Sequence, residues 1–269
     1  MDMTDVRARG LVLLGCGKMG SALLQGWLES GLPPASVTVL EPNPSPWLSA
    51  RGLRLNAELP ADPAVVLVAV KPQMMAEALP RLAPLGGGDT LFLSVAAGTP
   101  LSFYERVLGT ATPVVRAMPN TPAAVGRGIT AIIGNAAVPA AGLELAEHLL
   151  SAVGQVVRLD DEAQMDAVTA VSGSGPAYVF HLVEALAAAG AAQGLPEDLA
   201  LRLARATVEG AGELLHQAEE SAAQLRINVT SPKGTTEAAL GVLMQADGLS
   251  ALMNRAVTAA ADRSRELGR

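Results

Sequence analysis

Two short stretches of this chain bring together residue types and spacings suited to chemistry. The first, Gly15-Cys16-Gly17-Lys18-Met19-Gly20, keeps the G-x-G-x-x-G register. In that register the first glycine permits a tight turn, the second lets a pyrophosphate approach the backbone, and the third lets a helix pack closely on a strand. The first N–H groups of that helix then face the anion. The second stretch is Ser231-Pro232-Lys233-Gly234-Thr235-Thr236. Hydroxyl side chains at a helix start cap its orphan N–H groups, while proline and glycine shape the approach to the helix. The same N–H groups and the positive helix end suit a carboxylate. For this stretch a plain helix cap and an anion pocket stand as equal readings. Ser172-Gly173-Ser174-Gly175-Pro176, taken alone, reads as a place where helices approach closely.

What is missing narrows the chemistry. His148, His181 and His216 are the only histidines, and each falls in a helical pattern with no second ligand nearby, so no metal site is expected. Cys16 is the only cysteine. That excludes an intramolecular disulfide and a cysteine-built metal site, and the residue reads as a small filler between glycines. No Ser/His/Asp set or histidine-led dyad stands out. A nicotinamide cofactor would carry the hard step itself and leave the protein to orient the reactants. Reduction of a C=N bond fits such a chain, because a protonated imine is already electrophilic. An alcohol dehydrogenase would instead need a histidine, lysine or tyrosine acid beside the carbonyl.

Apolar runs supply the scaffold. Leu11–Leu14 leads straight into the glycines, and Ala22, Leu23, Trp27 and Leu28 beyond them keep helical spacing, a strand–turn–helix context. Val37–Leu40 is a second strand, ending at Glu41. An acid there commonly binds the adenosine ribose hydroxyls. Asn43 and Ser45 suit a 2′-phosphate that Glu41 would repel, so these residues set no preference between NADH and NADPH. Ala64–Val70 and Thr90–Val95 are continuous apolar runs, as in strands buried on both faces, and they end at Lys71-Pro72 and Ala96-Ala97-Gly98. Met74–Leu82 has helical spacing. Val114–Ala117, Gly128–Gly134 and Gln155–Leu159 read as strands and Ala140–Val153 as a helix.

This alternation predicts an α/β fold, an N-terminal Rossmann-like doubly wound sheet. The acidic run Asp160-Asp161-Glu162 predicts a boundary between a dinucleotide-binding domain over 1–161 and an all-helical domain over 162–269. Met165–Gly194, Glu197 to about Glu219, the segment after Thr236 and Ala251–Leu267 read as its helices. A set so rich in alanine is too small to wrap a large core. Packing against a second copy is therefore expected over a self-contained bundle.

The 269 residues are 50% hydrophobic and 17% charged, with mean hydropathy +0.33. Much of that apolarity is alanine, and no uncharged run reaches the ~20 residues of a spanning helix. The longest candidate, Val168–Leu195, contains Ser172, Pro176, His181, Glu184 and Gln193, so no membrane partner is expected. A net charge of −7 without a Lys/Arg cluster argues against nucleic acid. The opening MDMTDVRARG lacks the plan of a signal peptide, and a cytoplasmic enzyme is expected.

Over nearly its whole length the chain resembles the pyrroline-5-carboxylate reductases. The likeness is carried by GCGKMG at Gly15–Gly20, AVKP at Ala69–Pro72, SVAAG at Ser94–Gly98 and VRAMPNTPA at Val115–Ala123. AVSGSGPAYVF at Ala170–Phe180 and NVTSPKGTT at Asn228–Thr236 complete it, and the last three together are highly specific. The resemblance implies reduction of 1-pyrroline-5-carboxylate to L-proline, the last step of proline biosynthesis, with NADPH or NADH. It implies that Gly15, Cys16, Gly17, Lys18, Met19 and Gly20 hold the pyrophosphate and that Asn43 faces the adenosine ribose. Asn56, Ala69, Val70, Lys71, Pro72, Ala96, Ala97 and Gly98 would line the rest of the cofactor. Glu162, Asn228, Ser231, Gly234, Thr235 and Thr236 would contact the substrate. Of these, Ser231 and the 234–236 amides would take its carboxylate, and Thr236, the catalytic residue, its ring nitrogen. The helical domain is similar to a dimerisation domain whose helices interleave in a homodimer, and dimers of that family often form decamers. Lys233 departs from the family's usual glycine and is expected to point to solvent. A 3-hydroxyacid dehydrogenase would need a lysine on the long helix, and Ala167–Leu195 has none. A binding protein without turnover would be expected to lack Asn228, Thr235 and Thr236.

Overall fold

A computed structural model describes residues 3–268. Eight strands form one sheet: Leu11–Leu14 (β1), Val37–Leu40 (β2), Arg54–Leu55 (β3), Val65–Val68 (β4), Leu91–Ser94 (β5), Val114–Met118 (β6), Gly128–Gly134 (β7) and Gly154–Arg158 (β8). Their order is β3-β2-β1-β4-β5-β6-β7-β8. All neighbours pair in parallel except β6 with β7. This is a doubly wound sheet with helices on its faces. The chain leaves β1 toward β2 on one side and returns to β4 on the other, which makes the β1/β4 edge the switch point.

The helices of this part are Thr4–Arg9 (α1), Lys18–Glu29 (α2), Pro46–Ser49 (α3), Met75–Ala78 (α4), Leu101–Leu108 (α5), Ala140–Ser151 (α6) and Met165–Val168 (α7). The helix predicted over Met74–Leu82 is broken. Only α4 is α-helical, and a tighter 3₁₀ turn covers Leu79–Leu85, where Pro80 and Pro84 have no N–H to donate.

Strand register explains the unbroken apolar runs. Leu11 and Leu13 sit beside Val65 and Leu67, and with Val37 and Val39 they face Leu23, Leu24 and Trp27 of α2 and Leu149 and Leu150 of α6. Val12, Leu14, Val66, Val68 and Phe92 point to the opposite face, against Leu79, Leu82, Tyr104 and Leu108. Each fully buried side chain of this kind contributes roughly 1.5–3 kcal/mol. The buried Trp27 Nε1–H donates to the Leu149 carbonyl at 2.7 Å, so its polar tip is satisfied too.

The chain up to Gly173, with Ala260 onward, forms one compact unit, and Ser174–Ala259 forms a second. A π-helical turn over Thr169–Gly173 closes the first stretch; a Cβ on Gly173 would lie 2.6 Å from Met118 Cε. The second unit contains Gly175–Ala192 (α8), Glu197–Gln217 (α9), Ala222–Asn228 (α10), Thr235–Leu243 (α11) and the first part of Leu249–Leu267 (α12). α8 and α9 pack on one another, with a Cβ on Gly190 only 3.4 Å from Ala200 Cβ. Ala200 and Ala204 are the only fully buried apolar residues of this unit, whereas Phe180, Leu214 and Val229 are 65%, 61% and 67% exposed. Such a set has no closed core of its own. Among the described residues no helix is long and apolar enough to cross a membrane.

Candidate active site

The residues expected at the cofactor all follow the C-terminal ends of parallel strands. Gly15–Gly20 follows β1, Glu41 and Asn43 follow β2, Asn56 follows β3, Ala69–Pro72 follows β4 and Ala96–Gly98 follows β5. Gly15 is left-handed at φ +84, and a Cβ there would lie 2.9 Å from Val70 Cγ1. A Cβ on Gly20 would lie 2.7 Å from the Gly15 carbonyl oxygen, whereas one on Gly17 would meet nothing within 4 Å. Two glycines are thus forced by packing and the third leaves the backbone open to an incoming group. Gly17 is the N-cap of α2, and no side chain caps that helix, so its first N–H groups remain available to an anion. This cradle fits a dinucleotide pyrophosphate.

Glu41 turns inward. Its Oε2 accepts the Cys16 N–H at 2.9 Å and its Oε1 the Asn43 N–H at 3.1 Å. The Asn56 side chain grips the Glu41 backbone from both sides, accepting its N–H at 2.9 Å and donating to its carbonyl at 2.9 Å. Asn56 itself adopts a left-handed φ of +47, which asparagine tolerates better than most residues. The acid placed by sequence at the ribose therefore braces the glycine turn. Ser45 caps α3, its Oγ accepting the Leu48 N–H at 3.2 Å. Burial, and secondarily the Glu41 charge, pushes the Cys16 thiol up to about 11, which leaves it protonated and unreactive near neutrality.

Sequence reasoning passed over Arg116. This residue of β6 is only 7% exposed, and its Nη1 donates to Glu162 Oε1 at 2.6 Å. The same oxygen accepts the Leu101 N–H, the first of α5, at 2.9 Å. The available signal was an arginine inside the apolar run Val114–Ala117, since a buried guanidinium must find a partner. Close by, Ser94 Oγ and Tyr104 Oη are 2.5 Å apart, and Ser94 Oγ also accepts the Ala96 N–H at 3.3 Å. Burial pushes the Tyr104 phenol up, against hydrogen bonds with Ser94 and Thr99. A cavity of about 330 Å³ is bordered by Gly98, Arg116, Glu162 and Asp166.

The remaining predicted residues gather in the second unit, at the turn from α10 to α11. Asn228 ends α10, its Oδ1 accepting from Gln224 Nε2 at 2.8 Å. The Ser231 carbonyl accepts the Gly234 N–H at 3.0 Å, and a Cβ on Gly234 would crowd that same carbonyl oxygen at 3.0 Å. Lys233 is left-handed at φ +58, with its N–H donating to Glu237 at 2.5 Å. Of the two readings the sequence left equal, the hydroxyl cap is absent from the structure. Gly234 occupies the N-cap of α11, no side chain caps that helix, and Thr235 and Thr236 stand exposed at its first two positions. The leading N–H groups are left for an anion. Glu162 belongs to the first unit. Among the described residues no group of histidine, cysteine and acidic side chains could hold a metal ion.

A family model described as pyrroline-5-carboxylate reductase dimerisation matches residues 162–267, and one described as NADP oxidoreductase, coenzyme F420-dependent, matches 11–98. A Pseudomonas aeruginosa protein named pyrroline-5-carboxylate reductase is 44% identical over 263 residues, 96% of each chain. A solved pyrroline-5-carboxylate reductase from Coxiella burnetii superposes with a TM-score of 0.91 at 34% identity, covering 97% of this chain and 99% of that one. A Plasmodium falciparum pyrroline carboxylate reductase with NADP bound gives 0.82 at 27% identity, covering 98% and 99%. At that level of identity over almost its entire length, this chain belongs to the pyrroline-5-carboxylate reductase family.

Proposed function

We propose that the protein reduces 1-pyrroline-5-carboxylate to L-proline with NADPH or NADH, completing proline biosynthesis. The observation that carries this reading is the 44% identity to a protein of that name over 96% of both chains. The open glycine cradle at the switch point supports it. Residues 1–161 form the cofactor domain and 162–269 the substrate-binding and dimerisation domain. Gly15–Gly20 hold the pyrophosphate, Asn43 and Asn56 shape the adenosine end, and Ala69–Pro72 and Ala96–Gly98 flank the remainder.

NAD(P)H, when bound, supplies the hydride that adds to C5 of the protonated imine, whose nitrogen keeps its proton. The chain's own work is orientation. The 234–236 amides and Ser231 take the substrate carboxylate at the positive end of α11. Thr236 hydrogen-bonds the ring nitrogen, Thr235 and Asn228 add substrate contacts beside it, and Glu162 is a further substrate-binding residue. The exposed apolar helices of 174–259 pair with a second copy, and dimers associate into a decamer in the cytoplasm. Following NADPH and NADH oxidation with pyrroline-5-carboxylate tests the activity. Oxidation that does not depend on this imine, or none with either cofactor, would overturn it. Light scattering on the eluted enzyme reads the assembly.

A further inference from the structure

The turn Ala96-Ala97-Gly98 is tied down at both ends through α5. At its start, Ser94 Oγ holds the Ala96 N–H and meets Tyr104 of α5 at 2.5 Å. At its end, α5 begins at Leu101 after Pro100, and neither Pro100 nor any neighbour supplies a side-chain cap from within that segment. The acceptor comes instead from Glu162, 61 residues along the chain, at 2.9 Å from the Leu101 nitrogen. A carboxylate at a helix N-terminus is favourable on its own. Here it is also fixed in place, because Arg116 Nη1 grips the same Oε1 at 2.6 Å from inside the sheet. Arg116 is nine-tenths buried and stands in register with Ser94 on the neighbouring strand. The contacts close a ring: Ser94, Tyr104, α5, Leu101 N–H, Glu162, Arg116 and back to the sheet. The Ala96–Gly98 turn lies along the chain between the two anchored points, and Gly98 also borders the 330 Å³ cavity.

From this we infer that Arg116 is a positioning residue for hydride transfer. Acting through Glu162 and the Leu101 N–H, it holds the Ala96–Gly98 turn where the nicotinamide must lie. The inference rests on the proposed reading that this turn flanks the cofactor. It predicts a separation of effects. The pyrophosphate cradle at Gly15–Gly20 does not touch the ring of contacts, so loosening the turn leaves cofactor affinity and disturbs alignment. Misplacement of reacting atoms by about 1 Å costs roughly 100-fold in rate.

The test is Arg116→Met, measured by hydrogen exchange of the 95–101 backbone with and without NADPH, by NADPH Kd and by kcat. Faster exchange of 95–101 in the free enzyme by about tenfold or more, kcat lower by about 10- to 100-fold and Kd within about threefold of wild type would support it. Arg116→Met leaves a partly buried carboxylate unpaired and can fail to fold. The double variant Arg116→Met/Glu162→Gln removes that charge while keeping a carbonyl acceptor for Leu101. It should recover slow exchange at 95–101 and keep NADPH Kd within about threefold of wild type, two readouts that do not depend on the substrate contact of Glu162. Unchanged exchange at 95–101 in Arg116→Met, exchange in the double variant that stays as fast as in Arg116→Met, or a fall in kcat matched by an equal loss of NADPH affinity overturns the inference. If NADPH fails to protect 95–101 in the wild-type protein, the cofactor reading of this turn is what fails.

Discussion

Glu41→Ala separates two roles that the position of this residue leaves entangled. If Glu41 braces the glycine turn, its removal acts before any cofactor binds. The carboxylate holds Cys16 N–H at 2.9 Å and Asn43 N–H at 3.1 Å, both partners being backbone groups of the loops that follow β1 and β2. A hydrogen bond to a charged group contributes about 1.5–3 kcal/mol. Glu41 is only half-buried, which places the Cys16 bond near the lower end, about 1.5–2 kcal/mol. Every 1.4 kcal/mol is a factor of ten, so amide exchange at Cys16 in the cofactor-free enzyme should rise by about 10- to 30-fold.

NADH and NADPH share the pyrophosphate, so both should bind more weakly to this variant. NADPH should lose less, because the same substitution removes a negative charge that opposes its 2′-phosphate. Glu41→Gln offers one acceptor oxygen instead of two and should fall between the variants. Exchange is read by NMR or by mass spectrometry of the peptide spanning 11–24, and affinity by fluorescence titration. Wild-type exchange at Cys16 together with weaker binding of NADH alone would refute the brace and return Glu41 to the ribose.

Thr236→Ala should lower kcat/KM by about 10- to 100-fold, the loss of one or two kcal/mol or slightly more in hydrogen bonding to the reacting ring. The Kd for NAD(P)H should not change; lost cofactor binding would contradict the assignment. Lys233→Gly should be nearly silent. A left-handed lysine at φ +58 costs about 1 kcal/mol, glycine forfeits about as much through the entropy of the unfolded chain, and Glu237 still holds the backbone N–H. A tenfold fall in its kcat/KM would show that the ammonium itself binds the substrate carboxylate. Alkylation of Cys16 should be slow at pH 8, about 100-fold below a thiol at the ordinary value, and should climb about tenfold per pH unit toward 11. The sign follows from the raised pKa, which delays the thiolate to higher pH. Rapid labelling at pH 8 would show an exposed thiol.

Much of this architecture is legible in one dimension because its causes are local. Burial on both faces leaves a strand no place for polar residues, so β1, β4 and β5 stand out as apolar runs. The glycine turn is equally plain, since only glycine accepts φ +84 at Gly15 and the close approach at Gly20. Some of what was missed was also local. Pro80 and Pro84 forbid a continuous helix there, and the short link from Met118 to Gly128 lacks the dozen or more residues that a parallel crossover needs, so β7 had to run antiparallel. The two-residue β3 is too short to leave any period.

Side-chain direction is a different matter. Glu41 faces Cys16 across 25 residues and Arg116 faces Glu162 across 46, and neither distance leaves a trace in spacing or composition. Their partners exist only once parallel strands have brought separate loops to one edge. The glycines decide where a dinucleotide can enter, but they leave the surrounding loops free to take many shapes. It is the charged side chains, reaching back from later strands to backbone N–H groups of earlier ones, that reduce those shapes to one. The acids and the arginine at the edge of the sheet thus hold backbone in place: Glu41 fixes the N–H groups of Cys16 and Asn43, and Glu162, gripped by Arg116, fixes that of Leu101.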